Sequence, residues 1–395
     1  MNDLKIGVIG SGGRGGLAGE AHHPGEGSRV VACCATVAAT LESNRGHYGE
    51  DIFTTTDYRE LLKQDLDAVF IATPDYLHEE MAVAALESGK AVYLEKPMAI
   101  TTEGCDRILE AARKSNARLY LGHNMRHMPF VIKMKELIDA GAIGNVKAVW
   151  CRHFVGAGGD HYFKDWHSES KYSTGLLLQK AAHDIDVIHW LAGGYSEFVQ
   201  GMGALTLYGD VADRQPSSGE PQPASHELSG ANPKMAWPPN TQTGLSAEID
   251  VEDLSHMQMR LDNGVYATYQ QCHYTPDYWR SYCVIGDAGR LENFGNGEDG
   301  TRIEVWNKRK WSWNAPDEVH MIPLPEGGHG GADPRIVAEF LRFVREGGQT
   351  TTSPVAARYS VAAGCAATHS LRNGGVPVTI PPVPQETSQY FEAQA

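Results

Sequence analysis

The sequence predicts an α/β protein with two domains, and its length and one change of pattern support this. At 395 residues the chain is roughly two to three times the size of a typical domain. Up to about residue 125, short apolar runs alternate with amphipathic segments, the pattern of a doubly wound parallel sheet covered by helices on both faces. Beyond residue 125 the extended segments are longer, which predicts an α+β domain with an open, largely antiparallel sheet.

The strands and helices of the first domain are predicted from the hydrophobic pattern of each segment. Short apolar runs predict strands, and the amphipathic stretches between them predict crossover helices. The predicted strands are Lys5–Gly10, Arg29–Cys34, Leu66–Thr73, Ala91–Leu94 and Arg118–Gly122. The predicted helices lie near Gly13–His22, Val37–Tyr48, Tyr58–Lys63, Leu77–Ser88 and Thr101–Ser115. In a domain of this kind a ligand binds at the carboxyl ends of the strands.

A glycine-rich turn follows the first predicted strand, where residues 10–15 read GSGGRG and match the pattern GxGxxG. Gly10 permits a tight turn, Gly12 lets backbone N–H groups approach a pyrophosphate, and Gly15 lets the next helix pack close to the sheet. A glycine-rich chain can match this pattern by chance. Its place between a strand and a helix is what predicts a dinucleotide-binding Rossmann domain.

The end of the second predicted strand bears on the choice of dinucleotide. In NAD-binding domains this strand normally ends with an acid that hydrogen-bonds the ribose hydroxyls, but here it runs through Cys34 to Thr36. No arginine follows directly to bind a 2′-phosphate, and Arg14 and Arg45 are the nearest candidates. We therefore expect NAD as the cofactor and leave NADP open.

Two further signatures stand at the ends of later strands: residues 72–78 read ATPDYLH and residues 95–97 read EKP. Together with the glycine-rich turn, GHNMR at residues 122–126 and GDAGRLE at 286–292, they resemble the Gfo/Idh/MocA family of sugar and cyclitol oxidoreductases. This resemblance covers most of the chain and implies an NAD(P)-dependent oxidoreductase. The cofactor-binding residues that it and the turn imply are Gly10, Gly12, Gly13, Arg14, Gly15, Thr36, Thr73, Pro74, His78, Glu95, Lys96 and Asn124.

Lys96 is the first predicted catalytic residue. A fixed ammonium at the carboxyl end of a strand can hydrogen-bond a substrate hydroxyl and stabilise the alkoxide that forms as hydride leaves. The alternative is a surface lysine paired with Glu95. The resemblance also implies a cis peptide before Pro97. We expect His78 either to contact the cofactor or to cap the helix that follows it.

The second domain is expected over residues 126–380, after a dinucleotide-binding domain over residues 1–125. Its predicted strands are Val146–Val155, Val199–Leu207, Leu254–Leu261, Val265–Tyr274 and Trp279–Ile285. Residues 209–247 are rich in Pro, Ser, Gly and Gln and predict an irregular insertion. Residues 381–395 are expected to form a peripheral arm.

Residues 175–190 predict one amphipathic helix with Gln179, His183, Asp186 and Trp190 on a single face. His183 takes the position of the family's catalytic histidine, and an imidazole can accept a hydroxyl proton near neutral pH. We therefore predict His183 as the general base, with a structural histidine as the alternative. Many family members carry Asp four residues earlier. Gln179 cannot act as a base, so a mechanism based on an Asp–His pair does not carry over.

Aromatic and hydrogen-bonding residues are concentrated just before this helix, over residues 158–172. This mixture suits a sugar, because rings stack on its C–H faces while polar groups bind its hydroxyls. For any single residue the alternative is ordinary sheet or loop surface. The predicted substrate-binding residues are Arg152, His161, Trp166, Lys171, Gln179, Lys180 and His273.

Three functions are compatible with these residues. The first is a sugar or inositol dehydrogenase that moves hydride from a ring carbinol, expected at C3 of a pyranoside, to nicotinamide. The second follows from the resemblance, because some relatives use bound NAD to cleave glycosides such as sulfoquinovosides and N-acetylgalactosaminides without net NADH. The third is a non-catalytic NAD-binding regulator, since a fold alone does not establish a function.

The composition limits which partners the protein can bind and in which cellular compartment we expect it. The formal net charge of −15 opposes binding to nucleic acid or to an anionic membrane. The seven cysteines are scattered without a CxxC pair, which predicts reduced thiols and no metal site. No signal region or long apolar run is present, so we expect a cytoplasmic protein. The resemblance implies a homo-oligomer, a dimer or a tetramer.

Overall fold

The computed structural model describes residues 2–216, 236–324 and 326–393 and divides the chain into two compact units. The first unit comprises Met1–Asn124, Asp333–Val361 and Val383–Ala395, and the second comprises Met125–Ala332 and Ala362–Pro382. The division at Asn124 coincides with the expected boundary near residue 125. Two C-terminal segments that we expected in the second domain and in an arm belong to the first unit instead. Residues 217–235 of the predicted insertion lie outside the described residues.

The first unit is built on a sheet in which every described strand pair is parallel. Its strands are β1 Leu4–Ile9, β2 Ser28–Cys34, β3 Phe53–Thr55, β4 Ala68–Ile71, β5 Ala91–Leu94 and β6 Leu119–Leu121. They are hydrogen-bonded in the order β3-β2-β1-β4-β5-β6, which confirms the predicted doubly wound parallel sheet. The sequence did not predict β3, because its three half-buried residues form no apolar run.

Helices connect many of the strands in both units. In chain order they are α1 Ala38–Tyr48, α2 Tyr58–Leu62, α3 His78–Glu87, α4 Thr102–Ser115, α5 Pro129–Asp139, α6 Gly158–His161, α7 Ser170–Ser173, α8 Leu176–Gln179, α9 Ala182–Ala192, α10 Gly328–Glu346, α11 Pro354–Arg372 and α12 Gln385–Ala393. Short 3-10 helices span Gly13–Ala21, Asp75–Leu77, Asn124–His127, Trp166–Ser168 and Pro239–Thr241. Across the described segments, no helix has the length and apolar character that crossing a bilayer requires.

An aromatic cluster explains why α10, from Asp333 onward, belongs to the first unit. Phe70 on β4, Tyr93 on β5 and Tyr120 on β6 are buried against Phe340 of α10. The ring of Phe340 lies 5.1, 5.5 and 5.6 Å from these three rings, distances typical of favourable aromatic pairs. The expected C-terminal arm is also packed, since the Tyr390 hydroxyl on α12 lies 3.2 Å from the Ala112 carbonyl oxygen.

The second unit contains a mixed sheet. Its strands are β7 Val146–Val155, β8 Ser196–Ala204, β9 Leu254–Leu261, β10 Tyr266–Cys272, β11 Tyr278–Gly286, β12 Arg290–Phe294, β13 Arg302–Trp306, β14 Glu318–Met321 and β15 Val378–Thr379. The order is β14-β13-β12-β11-β7-β10-β9-β8-β15, and only the β7–β10 pair is parallel among the described pairs, so the largely antiparallel prediction is confirmed. Strands β12 to β15 were not predicted, because each has at most five residues and none is an uninterrupted apolar run.

The prediction of one helix over residues 175–190 is wrong, because the structure has two helices, α8 and α9. The amide of Ala181 donates to the carbonyl of Leu176, five residues back, at 3.1 Å. A turn widened in this way interrupts the regular helix. Helix α11 packs closely against α8. A Cβ at Gly364 of α11 would lie 2.6 Å from the carbonyl oxygen of Leu177 on α8, so only glycine allows this approach.

Candidate functional site

Five strands of the first sheet are each followed, within three residues, by a predicted site residue that lies at the carboxyl end of the strand. Examples, one for each strand, are Gly10 after β1, Thr36 after β2, Thr73 after β4, Lys96 after β5 and Asn124 after β6. The strands are parallel, so their carboxyl ends form one edge of the sheet, where doubly wound proteins bind ligands. The first unit thus brings these residues to a single edge.

The glycine-rich turn is sterically closed to side chains at two positions. Gly10 has φ 81°, and a Cβ there would lie 2.7 Å from the Ala72 carbonyl oxygen. A Cβ at Gly15 would overlap the carbonyl oxygen of Gly10. The segment after the turn is a 3-10 helix from Gly13, whose first backbone N–H groups are suited to bind phosphate.

Two buried polar atoms at this edge lack a partner within the described residues: Thr73 Oγ1 and Asn124 Oδ1. Buried polar atoms in native proteins nearly always have a hydrogen-bond partner. A dinucleotide carries hydroxyl and amide groups that could complete both. The edge therefore fits the predicted cofactor, with Pro74 holding the backbone directly after Thr73.

Arg14, predicted as a cofactor-binding residue, pairs with two carboxylates of the first unit. Its Nε donates to Glu95 Oε1 at 2.7 Å, and its two Nη atoms donate to the carboxylate of Asp333 at 3.0 Å each. Burial opposes ionisation of Glu95, but the Arg14 cation outweighs it and lowers the pKa of that carboxyl. The other oxygen of Glu95 accepts from the backbone N–H of Lys96 at 3.1 Å. Arg14 is thus a positioning residue that ties the glycine-rich turn to Lys96.

His78 is also a positioning residue. The Lys96–Pro97 peptide is cis, as the resemblance implied. The buried ring of His78 lies with Nδ1 2.7 Å from the Pro97 oxygen and Nε2 2.9 Å from the Thr73 oxygen. It begins α3 without capping it, and both ring nitrogens contact backbone carbonyls. The ring therefore fixes the EKP segment against the end of β4.

The two arginines that could have bound a 2′-phosphate are engaged with protein groups. Arg14 holds two carboxylates, and Arg45 lies 3.4 Å from Glu42 and contacts the hydroxyl of Thr54. Thr36, at the end of β2, is exposed. This arrangement favours NAD over NADP.

The second unit contains a buried polar network, centred on Asp184, that the sequence did not predict. Its carboxylate accepts from the hydroxyls of Tyr269, at 3.2 Å, and Tyr282, and pairs with Arg280 Nε at 3.1 Å. His153 Nδ1 lies 3.0 Å from the same carboxylate. Despite burial, the Arg280 cation lowers the pKa of Asp184, so this carboxylate stays ionised.

Strand register assembles this network. Tyr282 on β11, Cys151 on β7 and Tyr269 on β10 are register partners, and Arg280, His153 and Gln271 form the next row that faces the same way. Alternation of side chains places both rows on the inner face. The signal in the sequence was polar residues at every second position of three strands, but register between strands cannot be derived from one chain.

Lys180 anchors a second cluster in this unit. Its Nζ donates to the Tyr162 hydroxyl at 2.8 Å and lies 5.1 and 5.5 Å from the ring centroids of Tyr162 and Tyr278. His273 is fully buried, with its ring 5.5 Å from that of Tyr162. A Cβ at Gly158 would overlap the His273 carbonyl, so glycine is needed where α6 meets the end of β10. The structure thus brings together two predicted substrate-binding residues, Lys180 and His273.

Other predicted residues lie on neighbouring elements of the second unit. Gln179 is buried at the end of α8, and His183 is half-buried on α9. His161 is half-buried on α6, and the buried Trp166 stacks on His167 with ring centroids 3.7 Å apart.

The predicted helix face with Gln179, His183, Asp186 and Trp190 is only partly present in the structure. Asp186 forms a two-point ion pair with Arg126, with both distances 2.7 Å. Trp190 lies 5.4 Å below the same guanidinium. Asp186 and Trp190 therefore hold Arg126 in the core.

Arg152 and Lys171 are not brought to either cluster. Arg152 is exposed and projects from the face of β7 opposite to His153, because neighbouring strand residues alternate. Lys171 has 57% of its side chain exposed and pairs with Glu169 at 2.5 Å. Their role as substrate-binding residues stays a prediction.

Comparison with known protein families agrees with this architecture. Residues 4–123 match the model described as an oxidoreductase family NAD-binding Rossmann fold. Residues 135–380 match the model of the C-terminal alpha/beta domain of the same family. The fold and the glycine-rich edge thus define an NAD-binding oxidoreductase. The chain belongs to the Gfo/Idh/MocA oxidoreductase family.

Individual relatives share part of the sequence. The chain is 25% identical over 392 residues to a levoglucosan dehydrogenase of Pseudarthrobacter phenanthrenivorans, covering 89% of this chain and 92% of that protein. It is 31% identical over 196 residues to an inositol 2-dehydrogenase of Salmonella typhimurium, covering 48% of this chain and 54% of that protein. A solved levoglucosan dehydrogenase in complex with NADH and L-sorbose has the same fold, with a TM-score of 0.77 at 20% identity, covering 96% of this chain and all of that one.

Proposed function

We propose that this protein is an NAD-dependent dehydrogenase that oxidises a ring carbinol of a sugar or cyclitol. The observation that carries the proposal is Lys96, which follows a strand at the same edge as the glycine-rich turn and is tied to it through Glu95 and Arg14. The levoglucosan and inositol dehydrogenases among the relatives support a polyhydroxylated ring as substrate.

The roles of the residues follow from their chemistry. NAD supplies the hydride acceptor when bound, and the glycine-rich turn, Thr73 and Asn124 would hold it. The Lys96 ammonium donates a hydrogen bond to the substrate oxygen and stabilises its developing negative charge. His183 accepts the hydroxyl proton as general base. With Gln179 unable to ionise, His183 works without the carboxylate that many relatives place four residues before it.

A second candidate is redox-neutral glycoside cleavage, in which oxidation at C3 acidifies the C2 proton and permits the aglycone to leave. The observation that favours it is Tyr278. Burial opposes its ionisation, but the Lys180 and Arg280 cations outweigh this and lower the pKa of the Tyr278 phenol. Such a phenol is an additional proton carrier, which elimination and rehydration require and simple oxidation does not.

One assay separates the two candidates. The protein is incubated with a panel of hexoses, inositols and aryl glycosides, with NAD in excess or in catalytic amount, while NADH and released aglycone are measured. We expect NADH to form in proportion to the oxidised sugar. Aglycone release at catalytic NAD without net NADH would establish glycoside cleavage instead. Tight NAD binding without either product across the panel would indicate the non-catalytic regulator.

We also propose a homo-oligomer. Trp150, Met202 and Tyr266 of the second unit are 52%, 68% and 63% exposed on strands β7, β8 and β10, and large exposed apolar side chains on one sheet support association. Light scattering coupled to size exclusion should give the mass of a dimer or tetramer, and a mass near 43.1 kDa would contradict it.

A further inference from the structure

Lys180 differs from the other buried cations of the second unit in its partners. Arg126 pairs with Asp186, and Arg280 pairs with Asp184. Lys180 is 9% exposed, yet within the described residues no carboxylate lies within ion-pair distance of its Nζ, which contacts only tyrosine groups. A buried charge is costly unless it is paired. The phenols of Tyr162 and Tyr278 nevertheless raise the pKa of Lys180 against the effect of burial, so the ammonium stays charged.

Apart from the two phenols, the groups around Lys180 add no negative charge. Burial, together with the nearby His153 and Lys180, lowers the pKa of His273 well below its ordinary value. Burial and the Arg280 cation likewise lower the pKa of His153 to about 3. Both imidazoles are therefore neutral at pH 7, and Arg280 is balanced by Asp184. With the phenols of Tyr162 and Tyr278 protonated, the cluster as a whole carries the single positive charge of Lys180.

The same cluster has unused hydrogen-bonding capacity. Both ring nitrogens of His273 and Nε2 of His153 are buried without a partner in the described part of the chain. These rings flank the two tyrosines, with 5.5 Å between His273 and Tyr162 and 5.3 Å between His153 and Tyr278. Tyr278 is 45% exposed, so the cluster is open to solvent on its side. A ligand entering there would meet one cation, two phenols and neutral imidazoles.

We propose that this cluster binds a carboxylate, so that the substrate is an acidic sugar of the hexuronate type. The inference rests on the proposed function and specifies its substrate class. The carboxylate pairs with the Lys180 ammonium and accepts from the Tyr162 and Tyr278 hydroxyls, while His153 and His273 complete the hydrogen bonds. Charge-assisted bonds of this kind are stronger than those between neutral groups.

The test compares D-glucuronate and D-galacturonate with D-glucose and D-galactose, as methyl glycosides, at saturating NAD. For the wild-type protein we expect kcat/KM for the uronates to exceed that of the matched hexoses at least about 30-fold, the range of a hydrogen bond to a charged group. Lys180→Met should reduce this ratio about 30-fold. The control is Lys147→Met, at a lysine of the same unit whose side chain is 62% exposed. It should leave the ratio of uronate to hexose kcat/KM unchanged.

A second measurement needs neither turnover nor a variant. Calorimetric titration of the uronates and hexoses into the wild-type protein with NADH should show binding of the uronates only, or at least about 30-fold tighter. Equal affinity, or preference for the hexoses, would overturn the inference even if NADH forms from hexoses and the dehydrogenase proposal stands. Uronate binding without NADH formation would support the inference and contradict the proposed function. If a folded Lys180→Met variant kept the wild-type ratio of uronate to hexose kcat/KM, the inference would also be overturned.

Discussion

The two regions that contain the proposed site residues are built in different ways. At the carboxyl edge of the first unit, the turn from Gly10 to Gly15 is shaped by backbone, and its key side chains follow strands that lie side by side. In the second unit, the Asp184 network and the Lys180 cluster are built from buried side chains on separate strands and helices. The first region needs empty space where side chains would be, whereas the second depends on buried charges and on the groups that surround them. Substitutions should therefore fail differently in the two regions.

The largest effect is expected from the two catalytic candidates, one in each unit. Lys96→Met and His183→Ala should each lower kcat/KM at least about 1,000-fold, because they remove charge stabilisation and the general base. NAD affinity should change much less in His183→Ala. The rates are measured from NADH formation on the best sugar of the panel. Lys114→Met, at a lysine that is 70% exposed, is the control. Rates near those of the wild type in either variant would remove that residue from the mechanism.

The next effect tests the paired charges of the second unit. Asp184→Asn leaves the buried Arg280 without its carboxylate, so we expect a loss of about 3–5 kcal/mol in the free energy of unfolding. Urea denaturation measures this loss. The control is Glu197→Gln, which breaks a pair with Arg260 whose side chains are 49% and 46% exposed and should cost at most about 1 kcal/mol. Equal losses in the two variants would show that the network does not stabilise the unit.

The glycine-rich turn is tested by two neighbouring glycines. Gly15→Ala places a Cβ against the Gly10 carbonyl, whereas a Cβ at Gly16 meets nothing within 4 Å. We expect Gly15→Ala to weaken NAD binding about 100-fold, or about 2.7 kcal/mol, and Gly16→Ala to leave it unchanged. Calorimetric titration with NAD measures both. Similar affinities of the two variants would contradict the assignment of the turn to the cofactor.

A smaller effect is expected from pH. Burial keeps His153 neutral in the folded protein, with a pKa of about 3, while the unfolded chain has an ordinary histidine pKa of about 6.5. Between these values the unfolded chain binds more protons, so stability falls as pH falls through this window. From pH 6.5 to 5 the contribution of His153 is about 1.5 kcal/mol. His153→Gln should flatten the pH dependence of the unfolding free energy by this amount, and an unchanged slope would contradict it.

The smallest effect concerns the cofactor's 2′ position. Arg14 and Arg45 are engaged with protein groups, so NADP should bind more weakly than NAD. Arg45→Ala, at an exposed ion pair, should change the ratio of the two affinities less than about fivefold, since such pairs contribute at most about 1 kcal/mol. A preference for NADP that Arg45→Ala abolishes would show that Arg45 binds the 2′-phosphate.

The difference between the backbone-shaped turn of the first unit and the side-chain networks of the second explains what could be predicted from the sequence. The parallel sheet, the turn at residues 10–15 and Lys96 were predictable, because each lies in a local run of residues with its own signature. Asp333 and Asp184 were not, since their partners Arg14 and Arg280 are distant in sequence. The break between α8 and α9 was also not predictable, because a widened turn leaves no mark on helical periodicity. The exposed position of Arg152 was not predictable either, since composition does not say which face of a strand a residue occupies.

The most direct test of the proposed function follows hydrogen from substrate to cofactor. The wild-type protein is given NAD and a sugar of the panel that is deuterated at every ring carbon, and the NADH formed is analysed by mass spectrometry. We expect NADH that is one mass unit heavier, in an amount equal to the oxidised sugar, and almost none from Lys96→Met. Consumption of the sugar without deuterated NADH would contradict hydride transfer to a nicotinamide held at the glycine-rich edge of the first unit.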